Sequence, residues 1–371
     1  MLRKFCVENY KNFQKRLILD FTAVRDYEYN KECVKDGLLS KILLMGPNGC
    51  GKTNLGYAMF DIVYTLTDNR PHQSQADASA FINGDGSEDH AQFKYEFQNG
   101  DDVIEYMYRK TAPNSIIYEH LLQNGELIFR RDLKKNTSDY KGLNLVNAQN
   151  LRIDPFGGSL SLLRFIANNT TQPDGSPVSF IMNFVKNMLY FRSTQDGNTF
   201  IGFERVGENI DEYIMKNNLV QDFEKFLKEC AGLDMNLGVA KVRGMPDIFV
   251  QKTKKKNLAF NSVASSGTKA LELFYYWSKR FSKVSLLFID EFDAYYHFKL
   301  AGKIMEQLIG YEGVQVMLTS HNSNLVSNKM MRPDCYLCLK NGELRSFAGS
   351  TDRELREGHN LEKMLRNGEF E

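Results

Sequence analysis

The stretch Ile42-Leu43-Leu44-Met45-Gly46-Pro47-Asn48-Gly49-Cys50-Gly51-Lys52-Thr53-Asn54-Leu55 decides how this chain folds. Four apolar residues end at a glycine, and the pattern G-x-x-x-x-G-K-T follows in full. The apolar run suits a buried parallel strand, and Thr53 to Thr67 carries helical patterning. Between them the glycines let successive backbone N–H groups point inward at phosphate oxygens, and the start of the helix adds its positive end. Lys52 would bring a full charge to the β- and γ-phosphates, and the Thr53 hydroxyl would help hold Mg2+. Gly46, Pro47, Asn48, Gly49, Cys50, Gly51, Lys52, Thr53 and Asn54 are thus the expected nucleotide-binding residues, with ATP as ligand. A glycine-rich turn that binds nothing is the alternative, and the strand before and helix after speak against it.

Working outward, Leu286-Leu287-Phe288-Ile289-Asp290-Glu291 is an apolar run closed by two acids. A buried strand ending in Asp places a carboxylate at the carboxyl edge of a sheet, where ligands sit. Asp290 would share the metal with Thr53. Glu291 points to a different side and can polarise the attacking water as a general base. A strand end turning polar is the plain alternative, and the phosphate loop in the same chain weakens it. Shortly before this strand, Ala264-Ser265-Ser266-Gly267-Thr268-Lys269 opens a helix. Ser265, Ser266 and Gly267 would form a second anion site there, although a serine N-cap fits the same residues. After the run Val314 to Leu318 comes Thr319-Ser320-His321, whose imidazole can hydrogen-bond a γ-phosphate and the attacking water. Lys52, Glu291 and His321 are the expected catalytic residues.

With 371 residues the chain can bury a large core. Nothing in its net charge of +1 argues for a nucleic-acid glove or a membrane surface, which leaves room only for a local patch. Six scattered cysteines, charges within Met1 to Tyr10 and no long apolar stretch point to a reduced, cytoplasmic protein without a membrane partner. Phe5–Val7 and Leu17–Phe21 read as two short strands. Ala91 to Arg131 reads as an antiparallel meander of about four strands, broken at Asn99-Gly100-Asp101, Pro113-Asn114 and Asn124-Gly125. Ser159 to Phe191 and Asp211 to Cys230 carry helical periodicity, and Lys241 to Ala259 reads as short strands. The expected division is an N-terminal lobe with the phosphate loop (1–66), an antiparallel β subdomain (67–140), a helical insertion (141–235), a C-terminal lobe (236–330), and a final strand with a charged tail (331–371).

The order of phosphate loop, long insertion, serine-glycine helix start, acidic strand end and histidine resembles the ABC ATPases. Ala264 to Lys269 is similar to their signature sequence, with Ser265 at its serine and Gly267 at its second glycine. His321 is similar to their switch histidine. Val7-Glu8-Asn9-Tyr10-Lys11-Asn12-Phe13, the Asn54 after the phosphate loop and Asp290-Glu291-Phe292-Asp293-Ala294 resemble the SMC, RecF, RecN and OLD branch. His297 stands where SMC heads usually carry an Asp. Ser320–Asn324, Arg332-Pro333-Asp334 and Glu354–Lys363 resemble stand-alone ATPases of anti-phage and abortive-infection operons, such as PARIS AriA, RloA-like and AbiL-type ATPases.

The resemblance implies an α/β, ABC-type P-loop NTPase head with an antiparallel β subdomain, a helical insertion and no long coiled coil. It implies ATP and Mg2+ as ligands, and a head-to-head dimer or higher even-numbered oligomer in which Ser265, Ser266 and Gly267 serve the partner's phosphate loop. It further implies a sensor or scaffold controlling an effector encoded in trans, because no TOPRIM domain follows His321. DNA or a phage protein would be a further partner. The alternative is a RecF/SMC-like repair ATPase acting directly on DNA. A glutamine contacting the γ-phosphate region is also implied, with Gln149 and Gln195 as candidates.

Other signals read as structural. Cys335-Tyr336-Leu337-Cys338 has no second cysteine pair for zinc. Lys252 with Lys254-Lys255-Lys256, and Arg130-Arg131 with Lys134-Lys135, read as solvated hairpin residues more readily than as DNA contacts. Phe274-Tyr275-Tyr276-Trp277 reads as helical core.

Overall fold

The apolar run ahead of the phosphate loop forms strand Lys41–Met45, and all five residues are buried. In the computed structural model, which describes residues 1–69, 78–153, 157–193, 198–203, 209–241 and 248–370, this strand lies inside a seven-stranded sheet. Gln315–Thr319 and Tyr336–Lys340 flank it in parallel. Leu286–Asp290 continues the parallel set beyond Gln315–Thr319, and Met188–Arg192 lies beyond that. Antiparallel strands Phe200–Gly202 and Glu343–Ser346 close the two edges. Because the five inner strands run the same way, Met45, Asp290, Thr319 and Arg192 all arrive at one edge of the sheet.

The helix after the phosphate loop, Lys52–Leu66, packs across this sheet. Gly56 permits the approach: a Cβ there would stand 2.8 Å from the Phe288 and Tyr190 rings. Those two rings stack on each other with centroids 5.4 Å apart. The outer side of the helix meets a second seven-stranded sheet, wholly antiparallel, in the order Thr137–Asp139, Glu126–Asp132, Ser115–Gln123, Asp102–Ala112, Ala91–Asn99, Leu2–Glu8, Leu17–Asp20. Asp61 accepts a bond from Tyr108 Oη at 2.8 Å and pairs with Lys110 Nζ at 2.6 Å, both charges being buried. Tyr95 Oη donates to the Ala58 carbonyl at 3.0 Å. Removing one partner of such a buried pair would leave the other charge unmatched, so the pair fixes how helix and meander sit together.

The meander has the four expected long strands, and the turn Asn124-Gly125 has both residues at positive φ, as a two-residue hairpin loop requires. Two expectations are corrected. The division at 66/67 does not separate the sheets, since Leu2–Glu8 pairs with Ala91–Asn99 and the N-terminal strands belong to the meander. The helical reading of Ser159 to Phe191 holds for Leu162–Asn169 and Pro177–Lys186 but not for Met188–Arg192, which is a buried sheet strand, second from the edge, inside the expected helical insertion. A fully buried strand has no alternation, and periodicity cannot distinguish it from a buried helix.

Helices Ile210–Lys216, Val220–Ala231, Ser266–Ser278 and Phe298–Ile309 cover the other part of the molecule. Phe274, Tyr275, Tyr276 and Trp277 are all buried there, as read. Lys252 to Lys256 spans the tip of the hairpin joining Ile248–Lys252 to Asn257–Ala259, with Lys254, Lys255 and Lys256 exposed. Arg131 is no surface residue: its Nε lies 2.5 Å from the buried Glu119 carboxylate. Cys335 and Cys338 are buried, as are Arg332 and Asp334, which pair at 2.8 Å. Asn328 Nδ2 holds the Arg356 and His359 carbonyls, so the C-terminal segment is pinned to the body. The longest helix among the described residues has 15 residues, and no long coiled coil occurs among them. The arrangement is an α/β P-loop fold with an antiparallel β portion and inserted helices.

Candidate functional site

The phosphate loop leaves strand Lys41–Met45 at Gly46 and enters the helix at Lys52. Gly51 has φ +108°, and a Cβ there would lie 2.3 Å from Asn12 Nδ2. Asn12, from the Val7–Phe13 loop, donates to the Cys50 carbonyl at 3.1 Å and accepts from Asn54 Nδ2 at 2.7 Å. The N-terminal loop therefore buttresses the phosphate loop, which gives Asn54 a structural partner.

Lys52 is folded back into its own loop. Its ammonium donates to the Gly46 carbonyl at 2.9 Å and the Pro47 carbonyl at 3.1 Å, and lies 3.3 Å from His321 Nδ1. Burial pulls the Lys52 pKa down from its ordinary value. Burial also lowers His321, and the neighbouring Lys52 charge adds to it. The imidazole is thus neutral near neutral pH and presents Nδ1 as an acceptor to Lys52.

Thr53 Oγ1 donates to Asp290 Oδ2 at 2.7 Å, and Thr319 Oγ1 donates to Asp290 Oδ1 at 2.7 Å. Asp290 is fully buried. A hydroxyl and a carboxylate converging beside the phosphate loop form the hard oxygen donor set that suits Mg2+ beside phosphate. The residues present fit that ion.

Glu291 has φ +49°, a left-handed backbone that costs a side-chain-bearing residue about 1 kcal/mol or more. Its N–H donates to Thr319 Oγ1 at 2.8 Å, and its carbonyl accepts from Ser193 Oγ at 2.9 Å. These bonds hold the turn that carries the Glu291 carboxylate. Glu291→Gly is expected to be more stable than Glu291→Ala by about 1 kcal/mol, since glycine alone adopts this φ freely. Chemical denaturation of the two variants checks it, and an alanine variant of equal or greater stability would remove the strain argument.

Three residues at this edge were not found by motif reading. Arg192 stands opposite Asp290 in the parallel register, and its Nη2 lies 2.8 Å from Glu291 Oε2. Tyr190 Oη donates to Asp290 Oδ2 at 3.3 Å, and Ser193 holds the Glu291 carbonyl. The only sequence cue is a polar pair closing the run Met188 to Phe191.

The structure thus brings Lys52, Thr53, Asp290, Glu291 and His321 to one sheet edge. Ser265 is the N-cap of helix Ser266–Ser278: its Oγ accepts from Thr268 N at 3.2 Å and meets Thr268 Oγ1 at 2.9 Å. Ser266 is exposed, and a Cβ on Gly267 would lie 3.1 Å from the Tyr295 carbonyl, so this helix start adjoins the turn after Glu291. His297 precedes helix Phe298–Ile309 and its ring packs on Phe298 at 4.4 Å, without a side-chain cap bond. Gln149 is exposed in the turn after the short 3-10 helix Leu143–Val146, which packs against the meander. Gln195 lies outside the described residues.

The family described as "AAA domain, putative AbiEii toxin, Type IV TA system" matches residues 42–327. The chain belongs to this family. The matched span begins at the phosphate-loop strand and ends beyond His321, so it takes in every motif of the site. The chain is accordingly an AAA-domain protein of the P-loop type, with its phosphate loop at Gly46 to Thr53. No curated protein matches the chain.

Among solved structures, the chain is similar to an Smc head bound to the C-terminal winged-helix domain of ScpA, with 15% identity, TM-score 0.47 and coverage of 93% of this chain and 96% of that one. It is also similar to the SMC head domain from Thermotoga maritima, with 11% identity, TM-score 0.42 and coverage of 93% and 97%. A third is the recombination mediator protein RecF, with 13% identity, TM-score 0.42 and coverage of 93% and 98%. No helix of the described residues is long and apolar enough to cross a membrane.

Proposed function

We propose that this protein hydrolyses ATP with Mg2+, closes head to head on a second copy, and through that closure controls a separate effector, a nuclease, in anti-phage defence. The carrying observation is the meeting of Thr53 with Asp290 at 2.7 Å, beside Lys52, Glu291 and His321. The defence role is supported by the toxin–antitoxin system in the family's description.

Each residue has a distinct task in this reading. The loop amides and the helix start receive the β- and γ-phosphates. Lys52 leaves the Gly46 and Pro47 carbonyls for phosphate oxygens, exchanging neutral partners for charged ones. Thr53 and Asp290 would hold Mg2+, which neutralises charge on the phosphates when bound. Glu291 takes the proton of the attacking water, and neutral His321 hydrogen-bonds the γ-phosphate side. Ser265, Ser266 and Gly267 of the partner close the other side of the triphosphate, so a single head lacks half of its anion site.

Light scattering tests the first part: molar mass should double with ATP and Mg2+ and stay monomeric, or at the resting state, with ADP. Phage plating tests the second, with efficiency expected to fall only when the ATPase and its neighbouring gene are both expressed. Unchanged mass with ATP sinks the closing mechanism. Turnover stimulated by duplex DNA, lost when Lys254, Lys255 and Lys256 become Ala and steeply salt-dependent, would favour direct action on DNA instead.

A further inference from the structure

Asp290 and Glu291 are adjacent acids at the end of a buried strand, and two such charges need a counter-ion. Arg192 supplies it. Its Nε lies 3.2 Å from Asp290 Oδ2, and its Nη2 lies 2.8 Å from Glu291 Oε2. Asp290 Oδ2 is also the oxygen that accepts the Thr53 hydroxyl, whereas Oδ1 is taken by Thr319. The oxygen that a metal held by Thr53 and Asp290 would use is therefore already facing a cation. The contact is charge without direction: Arg192 Nε is buried and makes no hydrogen bond of proper geometry among the described residues. The Asp290 end of the pair thus lacks the directed bidentate bonding that fixes an arginine on a carboxylate.

We propose that Arg192 is a resident stand-in for the metal, which neutralises Asp290 and Glu291 in the nucleotide-free head and is driven off when a divalent cation arrives with the nucleotide. A guanidinium and a divalent cation on the same oxygen of the buried Asp290 carboxylate would repel each other strongly at these distances. Displacement of the guanidinium also frees the Glu291 carboxylate from its ion pair. Metal arrival and release of the base become one event, and a head without metal keeps its base tied. Arg192 is in this sense a positioning residue. The inference rests on the reading that Thr53 and Asp290 hold the metal.

The test uses Mn2+ as the probe, with free Mn2+ followed by electron paramagnetic resonance on the full chain with saturating ADP. Arg192→Met should bind Mn2+ roughly ten-fold tighter than wild type, within the usual range of couplings between two sites. Its ADP affinity in EDTA should be unchanged, and Arg192→Lys should fall between the two. Equal or weaker Mn2+ binding by Arg192→Met overturns the displacement while leaving the metal site intact. Failure of the wild-type chain to bind Mn2+ with ADP overturns the metal reading and the displacement with it. Should Arg192→Met not fold, a crystal structure of the wild-type chain with Mg2+ and a non-hydrolysable ATP analogue decides the matter. Arg192 Nε is expected to have left Asp290 Oδ2, and an Arg192 still seated there beside a bound metal overturns the proposal.

Discussion

Glu291→Gln is expected to bind ATP normally and fail to turn it over, with kcat lower by about two to four orders of magnitude, the usual contribution of a general base. The amide has the shape of the carboxylate and the same backbone preferences. The bonds from Thr319 Oγ1 to the Glu291 N–H and from Ser193 Oγ to its carbonyl are untouched, so the left-handed turn survives. What disappears is the ability to take a proton from water. The phosphate-binding parts, Lys52, Thr53 and the loop amides, lie on a different strand end. ATP affinity should therefore change by less than about three-fold, separating a transition-state role from ground-state binding. Closed dimers should accumulate, because the step that releases them is blocked. Turnover at the wild-type rate would remove Glu291 from the chemistry.

The second large effect concerns sharing of the site between copies. Lys52→Ala removes the ammonium from the phosphate loop, and Ser266→Glu places a carboxylate at the exposed start of helix Ser266–Ser278. A negative charge there favours the helix itself, so the variant folds, but it repels an incoming triphosphate. Each variant alone should be nearly inactive. Mixed in equal amounts they form half heterodimers, and each heterodimer has one site with both defects and one with neither. About a quarter of wild-type turnover should return on mixing, by the symmetry of a two-fold interface. A mixture no more active than its components would show that the helix start serves its own chain or none. Steady-state phosphate release on the mixture measures this directly.

Much of this site was legible because its parts are local. Gly46 to Thr53 carries its own geometry in eight residues, and Leu286 to Glu291 declares a buried strand by composition and its carboxyl edge by two acids. Arg192 could not be found the same way. Its meaning depends on which strand lies beside Leu286–Asp290 and in what register, and that pairing spans nearly a hundred residues of sequence. The same holds for Leu2–Glu8, whose partner Ala91–Asn99 lies across the whole phosphate-loop segment. Met188–Arg192 was concealed by the helix just before it, since one apolar run continues from Phe184 into the strand with only Lys186 and Asn187 between. The serine at 265 was legible as a cap, and the cap is what its hydroxyl is observed doing in the isolated chain.

The helix that begins with Lys52 and Thr53 reaches Asp61 about 12 Å further along, where Lys110 and Tyr108 grip it from the meander. One end of a single stiff rod thus touches the ligand site while its middle is riveted to an antiparallel sheet. The same antiparallel sheet is clamped to the parallel one by Gln315, whose side-chain amide accepts from the Leu2 N–H at 2.6 Å and donates to the Leu2 carbonyl at 2.8 Å. Phosphate loop, helix and both sheets are thus coupled as one stiff unit, and strain at the ligand has no soft joint nearby in which to dissipate.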